Sequence, residues 1–211
     1  MSLPAGKTAI VLIEPQNDFL SKGGTMFQYI EEQLKQRNVI ANLRELLKGA
    51  RQKKVKIFYC PFQAFKPGFP ELKKDGPGAS GLRGIEMEMK ADWGTGAWLE
   101  GTPGPEIIKE LTPQDGDVIV RGKLTLDAFH STAINYLLRA NEIEHVAFCG
   151  FHTNWCVESS ARSAYDNGFR VIVVSDCTAT DTEREQKYAE EVIFPKIGKV
   201  MTSTEFLNAV S

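Results

Sequence analysis

The chain has 211 residues, of which 42% are hydrophobic and 25% charged, and a formal net charge of -2. This size suits one α/β domain spanning residues 1–211, with a core large enough to fold without a disulfide or metal staple. The small net charge, with no basic run and no acidic tail, speaks against nucleic acid or an anionic membrane as partner, and no apolar stretch approaches the roughly 20 residues that cross a bilayer.

The opening residues, MSLPAGK, lack the charged and then long apolar regions of an export signal. Four cysteines (Cys60, Cys149, Cys156, Cys177) are scattered without CxxC spacing. Free thiols and a cytoplasmic location are therefore expected.

In chain order, the run at 8–14 reads as a strand buried on both faces, stopped by Pro15 and a glycine pair. Apolar residues at helical spacing predict a helix over 28–52, broken near Gln36–Asn38. The segment 55–60 predicts a second buried strand. Residues 61–104 are rich in glycine and proline, hold Trp93 and Trp98, and read as an excursion that covers a site. A short helix is expected over 104–111, a strand over 117–122 and a helix over 130–141. A strand at 145–150, a helix at 153–168 and a strand at 169–176 follow. A helix at 181–194 stopped by Pro195, a strand near Val200 and a helix from Thr204 end the chain. Strands alternating with helices predict a three-layer α/β/α, Rossmann-like domain around a mostly parallel six-stranded sheet.

In such sheets ligands sit beyond the carboxyl ends of the strands. Glu14, Cys60, Lys123, Cys149 and Asp176 fall at or just past such ends, and His152 and Cys156 in a strand-to-helix turn. Cys156 fits two readings. Thr153 or Asn154 would cap the following helix, and Cys156 in its first turn would be favoured as a thiolate by free N–H groups and the helix dipole. Alternatively, it is a small packing residue. Cys60, Cys149 and Cys177 sit in or beside apolar strands and read as packing. His130 and His145 read as ordinary polar positions. Glu14 and Lys123, each ending an apolar run, fit a compensating pair beside the thiol or a structural ion pair.

Three segments together, IVLIEPQNDF at 10–19, GKLTLDAFHST at 122–132 and GFHTNWCVESSARSAYDNG at 150–168, resemble the isochorismatase-like cysteine hydrolases. That group includes nicotinamidases, ureidoacrylate and biuret hydrolases and carbamoylsarcosine amidohydrolases. The resemblance runs across nearly the whole chain and is weakest over 61–90. It implies a catalytic triad of Glu14 (where the family has Asp), Lys123 and Cys156. It also implies a cis peptide at Phe151–His152 and an oxyanion hole from the backbone N–H groups of His152 and Cys156. The reaction implied is hydrolysis of a small molecule's C–N bond (amide, ureide or carbamoyl) through a thioester. Asp18 more readily orders the turn after the first strand.

Phe19, Trp93, Trp98, Phe129 and Trp155 are candidates for the substrate pocket, each against a reading as core. Gln16 and Asn17 fit either polar substrate contacts or turn bonding. The metal-binding Asp-x-His of nicotinamidases has no counterpart in YCPFQAFKPGFP, so no metal or other cofactor is expected. A small-molecule substrate is the expected partner, and relatives imply a homo-oligomer. The rival readings are a vinyl-ether-cleaving member of the same fold, disfavoured by Cys156, and a non-catalytic one in which Glu14 marks lost chemistry.

Overall fold

A computed structural model describes residues 2–67, 70 and 98–211. Six strands form one sheet: β1 (Thr8–Ile13), β2 (Lys56–Cys60), β3 (Val118–Ile119), β4 (His145–Phe151), β5 (Arg170–Ala179) and β6 (Gly198–Met201). Their order is β3-β2-β1-β4-β5-β6, and every pairing is parallel. The expected three-layer α/β/α architecture with six strands is borne out.

The layers follow from strand alternation. Ile10, Leu12, Ile57, Tyr59, Ala147, Cys149, Ile172 and Val174 face one side, against the helices Phe27–Gln36, Val39–Gln52 and Ser203–Ala209. Ala9, Val11, Ile13, Phe58, Val146, Phe148, Val171 and Val173 face the other, against Ile134–Ala140, Glu158–Asp166 and Phe194–Ile197. Burial on both faces explains why β1 and β4 are continuous apolar runs.

The strand order reverses between β1 and β4, the place where a doubly wound sheet opens a crevice at its carboxyl edge. Gly150 is paired with Ile13 there. Its φ is 113°, and a Cβ would stand 2.0 Å from the Ile13 carbonyl oxygen. Only glycine lets β4 approach the end of β1 this closely. Immediately beyond this pair stand Glu14 on one side and Phe151, the last residue of β4, on the other.

Several elements differ from expectation. The strand expected over 117–122 is a two-residue edge strand, although Val120 N–H still donates to Tyr59 O at 2.8 Å. Gly122 turns away at φ 89°. The helix expected over 104–111 reduces to a 3-10 turn at Lys109–Leu111. The backbone before it bonds to the turn after β1 instead: Asn17 N–H donates to Glu106 O and Asp18 N–H to Gly104 O. The helix expected over 130–141 is two, Ala128–Ser131 and Ile134–Ala140. Thr132 separates them, its hydroxyl donating to Ala128 O and accepting from Ile134 N–H. β5 runs three residues further than expected, to Ala179.

Pro195 does not stop the helix before it. Glu183–Tyr188 passes through a π-helical turn at Ala189–Ile193 into Phe194–Ile197. Pro195 sits in the first turn of that last piece, where its missing N–H costs little. The break near Gln36–Asn38 is found, with Asn38 in the left-handed region at φ 53° between two helices. Among the described residues, no helix is long and apolar enough to cross a membrane.

Candidate active site

Glu14 follows β1 directly. Its φ is 50°, in the left-handed region, and Pro15 follows. Glu14 N–H donates to Cys60 O, which pins this bend to the end of β2. Lys123 lies beyond β3 and is held by Gln63 N–H donating to its carbonyl at 2.8 Å. The two side chains meet in an ion pair, with Lys123 0% and Glu14 1% exposed. Lys123 Nζ also donates to Thr125 O at 2.6 Å and stands 4.9 Å from the Phe62 ring centroid. The second carboxylate oxygen, Glu14 Oε2, is buried and has no hydrogen-bond partner among the described residues.

Cys156 completes the cluster. It lies in a π-helical turn, Thr153–Val157, after β4, and is 5% exposed. The His152 carbonyl accepts from Trp155 and Val157 N–H groups, on either side of it. The bond Phe151–His152 is cis. The expected side-chain cap is absent: the N-cap is His152, without a side-chain bond. Thr153 donates to Gln186 Oε1 instead, at 2.7 Å, and Asn154 Oδ1 accepts from Thr180. Both side chains tie the turn to the segment after β5.

The thiolate expected from the helix terminus is not how the thiol stands. Burial pushes the Cys156 thiol well up, and the Glu14 carboxylate beside it pushes the same way. Lys123 and a hydrogen bond from the His152 backbone oppose this but do not win. The resting group is a neutral thiol against a buried ion pair. Burial is also the largest influence on Lys123 and pulls it down, yet Glu14 and then Cys156 raise it above the ordinary lysine value.

The other thiols are held up likewise. Burial pushes Cys60 up to about 12, and raises Cys149 and Cys177 as well. Tyr59 is pushed up to about 12, mainly by burial. The native state keeps these protons while the unfolded chain releases its thiol protons from about pH 8.5. Their contribution to stability is therefore complete below that pH and lost as pH rises, by about 1.4 kcal/mol per pH unit for each such group. The denaturant midpoint is expected to fall between pH 8 and 10, and to fall less in Cys60→Ala. A midpoint level across that range would contradict this.

The aromatic candidates divide. Trp155, 37% exposed, has its ring 6.0 Å from His152, which stands 5.3 Å from Phe19. Phe19 stands 5.6 Å from Trp98, and Trp98 4.7 Å from Phe62. These rings form a wall from the surface down to Lys123. Phe129 takes a different place, 6.1 Å from Phe169. Trp93 lies outside the described residues. Phe62 was not singled out in the sequence, although its position just past β2 was a signal for it.

Gln16, Asn17 and Asp18 bond to backbone. Gln16 exchanges two bonds with Phe62 and donates to Pro105 O, and Asn17 donates to Pro103 O. Asp18 accepts from Trp98 N–H at 2.8 Å and from the Thr25 hydroxyl at 3.0 Å. A Cβ on Gly104 would stand 2.4 Å from Asp18 Oδ2, so the chain closes tightly over this carboxylate.

Residues 8–205 match the family model of the isochorismatase domain. The chain belongs to the isochorismatase family. The resemblance read from the three motifs is thereby borne out, and this isochorismatase-family hydrolase has informative relatives. It is 34% identical over 153 residues to an uncharacterized isochorismatase family protein, YwoC, of Bacillus subtilis (strain 168), covering 72% of this chain and 70% of that one. It is 28% identical over 184 residues to the ureidoacrylate amidohydrolase RutB of Rhizobium rhizogenes, covering 84% of this chain and 72% of that one. A crystal structure of a cysteine hydrolase from Pseudomonas syringae pv. phaseolicola shares the fold, with a TM-score of 0.82 at 22% identity over 99% of this chain and 94% of that one.

Proposed function

We propose that this protein is a cysteine amidohydrolase that cleaves a C–N bond of a small amide, ureide or carbamoyl compound through a thioester. The observation that carries this reading is the buried Glu14–Lys123 pair beside the Cys156 thiol, with Glu14 Oε2 left without a partner. That oxygen is free to take the thiol proton. The relationship to an amidohydrolase supports the reaction class.

The steps follow from these groups. Glu14 accepts the Cys156 proton as sulfur attacks the carbonyl carbon, so no free thiolate precedes substrate. Lys123, paired with the base, lowers the cost of the negative sulfur. Backbone N–H groups of His152 and Cys156 receive the oxyanion. Protonated Glu14 then gives its proton to the leaving nitrogen as the C–N bond breaks. Glu14 next takes a proton from water as the hydroxyl adds to the thioester carbonyl, and returns that proton to sulfur as the C–S bond breaks, which releases the acid and restores the thiol.

A screen of small amides, ureides and carbamoyl compounds for ammonia release tests the reaction, with Cys156→Ala as the blank. Release that is equal in both proteins would remove the proposal.

A further inference from the structure

The turn that carries Cys156 is anchored from outside by a buried glutamine. Gln186, on the helix Glu183–Tyr188, is 0% exposed. Its Oε1 accepts from the Thr153 hydroxyl at 2.7 Å, and Thr153 opens the π-helical turn Thr153–Val157. Its Nε2 donates to the Thr178 hydroxyl at 3.0 Å and to Glu190 Oε1 at 2.7 Å. Both amide N–H donors and the amide carbonyl are engaged. A buried amide is costly wherever such bonds are missing, and an apolar side chain of similar size would fill the space without needing them. Packing alone does not call for a glutamine here.

The direction of these bonds is set by charge. The Glu190 carboxylate pairs with Arg37 at 2.6 Å and has only acceptors to offer. The Gln186 amide therefore turns Nε2 toward Glu190 and Oε1 toward Thr153. The Thr178 hydroxyl donates to Ser175 O, which leaves its oxygen to accept from Gln186. The Thr153 hydroxyl is held as a donor in a single direction. Inside the turn, the His152 carbonyl accepts from the Trp155 and Val157 N–H groups, and the His152 backbone bonds the Cys156 sulfur. A shift at Thr153 is thus passed on to the sulfur.

We propose that Gln186 is a positioning residue for the nucleophile: through the Thr153 hydroxyl it holds the turn so that the Cys156 sulfur stays against the Glu14 carboxylate. This rests on the reading of Cys156 as nucleophile and Glu14 as its base. The two reacting groups have separate anchors. Glu14 is pinned to the end of β2 by its N–H on Cys60 O, and the thiol's turn is pinned by Gln186. Proton transfer needs both anchors in place, because it depends on hydrogen-bond distance between the two.

Labelling of Cys156 by iodoacetamide at pH 7, followed by mass spectrometry of its peptide, tests this. Thr153→Val removes the hydroxyl at nearly constant volume, and Gln186→Met removes the amide at nearly constant length. Each is expected to slow labelling about tenfold, since a displaced nucleophile loses alignment with its base. The double variant should be no slower than either single one, because all three lack the same bond. Thr153→Ser, which retains the hydroxyl, should restore most of the rate. Cys60 and Cys149, buried in the sheet, should stay unlabelled throughout. A rate unchanged or raised in Thr153→Val, a Thr153→Ser as slow as Thr153→Val, or losses that multiply in the double variant would overturn the positioning role. Labelling of Cys60 and Cys149 in Gln186→Met would show a packing role instead and overturn it too. A wild-type Cys156 that iodoacetamide leaves unmodified overturns the nucleophile reading and the positioning role with it.

Discussion

Cys156→Ala and Glu14→Gln are both expected to bring turnover to a common floor, about 10⁴-fold or more below wild type, and the double variant to fall little further. In the proposed mechanism the two groups perform one act. A neutral, buried thiol attacks only as its proton leaves, and Glu14 Oε2 is the unpartnered acceptor beside it. The amide of Gln has the same shape and accepts no proton. KM should change little, because the lost interaction belongs to the transition state. Glu14→Asp keeps the acid but draws it back by one methylene, and a misplacement of this order costs about 10²-fold. Steady-state kinetics on the best substrate from the screen checks the set. Glu14→Gln with more than a tenth of wild-type kcat would mean that the base is elsewhere.

Lys123→Met is expected to lose activity and also to unfold about 3–5 kcal/mol more easily, because it leaves the Glu14 charge buried without its partner. The double variant Glu14→Gln/Lys123→Met should regain most of that stability and none of the activity. Removing both charges takes away the burial cost together with the attraction. The pH dependence has a definite sign. Lys123 is raised in the folded state, so its contribution is complete below the ordinary lysine value of about 10.4 and is lost as pH rises past the native one. Denaturant unfolding of the four proteins at pH 7 gives the coupling directly. A single variant as stable as wild type would show that the pair is not a compensating one.

Much of the site's neighbourhood was legible from local pattern. Apolar runs buried on both faces mark parallel strands, and the strand-end rule brought Glu14, Lys123 and Cys156 to one edge of the sheet. The short features were less legible. Residues 104–111 have helix-forming composition, yet their backbone is taken by the turn after β1. Pro195 reads as a stop and is a tolerated first-turn residue. In both cases the deciding partner lies far away in the chain or depends on where a helix segment restarts.

By themselves, then, the residues determined the layer order, the parallel sheet and the edge at which polar groups collect, because periodicity and strand-end chemistry are local properties of the chain. Only the tertiary structure decided how those groups are charged and coupled. The Glu14–Lys123 pair joins positions 109 residues apart. The protonated state of Cys156 depends on how deeply both are buried with it. His152 Nδ1 stands 3.0 Å from Asp181 Oδ1 because the ends of β4 and β5 meet. Such properties belong to distances and burial, and these exist only once Gly150 has let β4 close against β1.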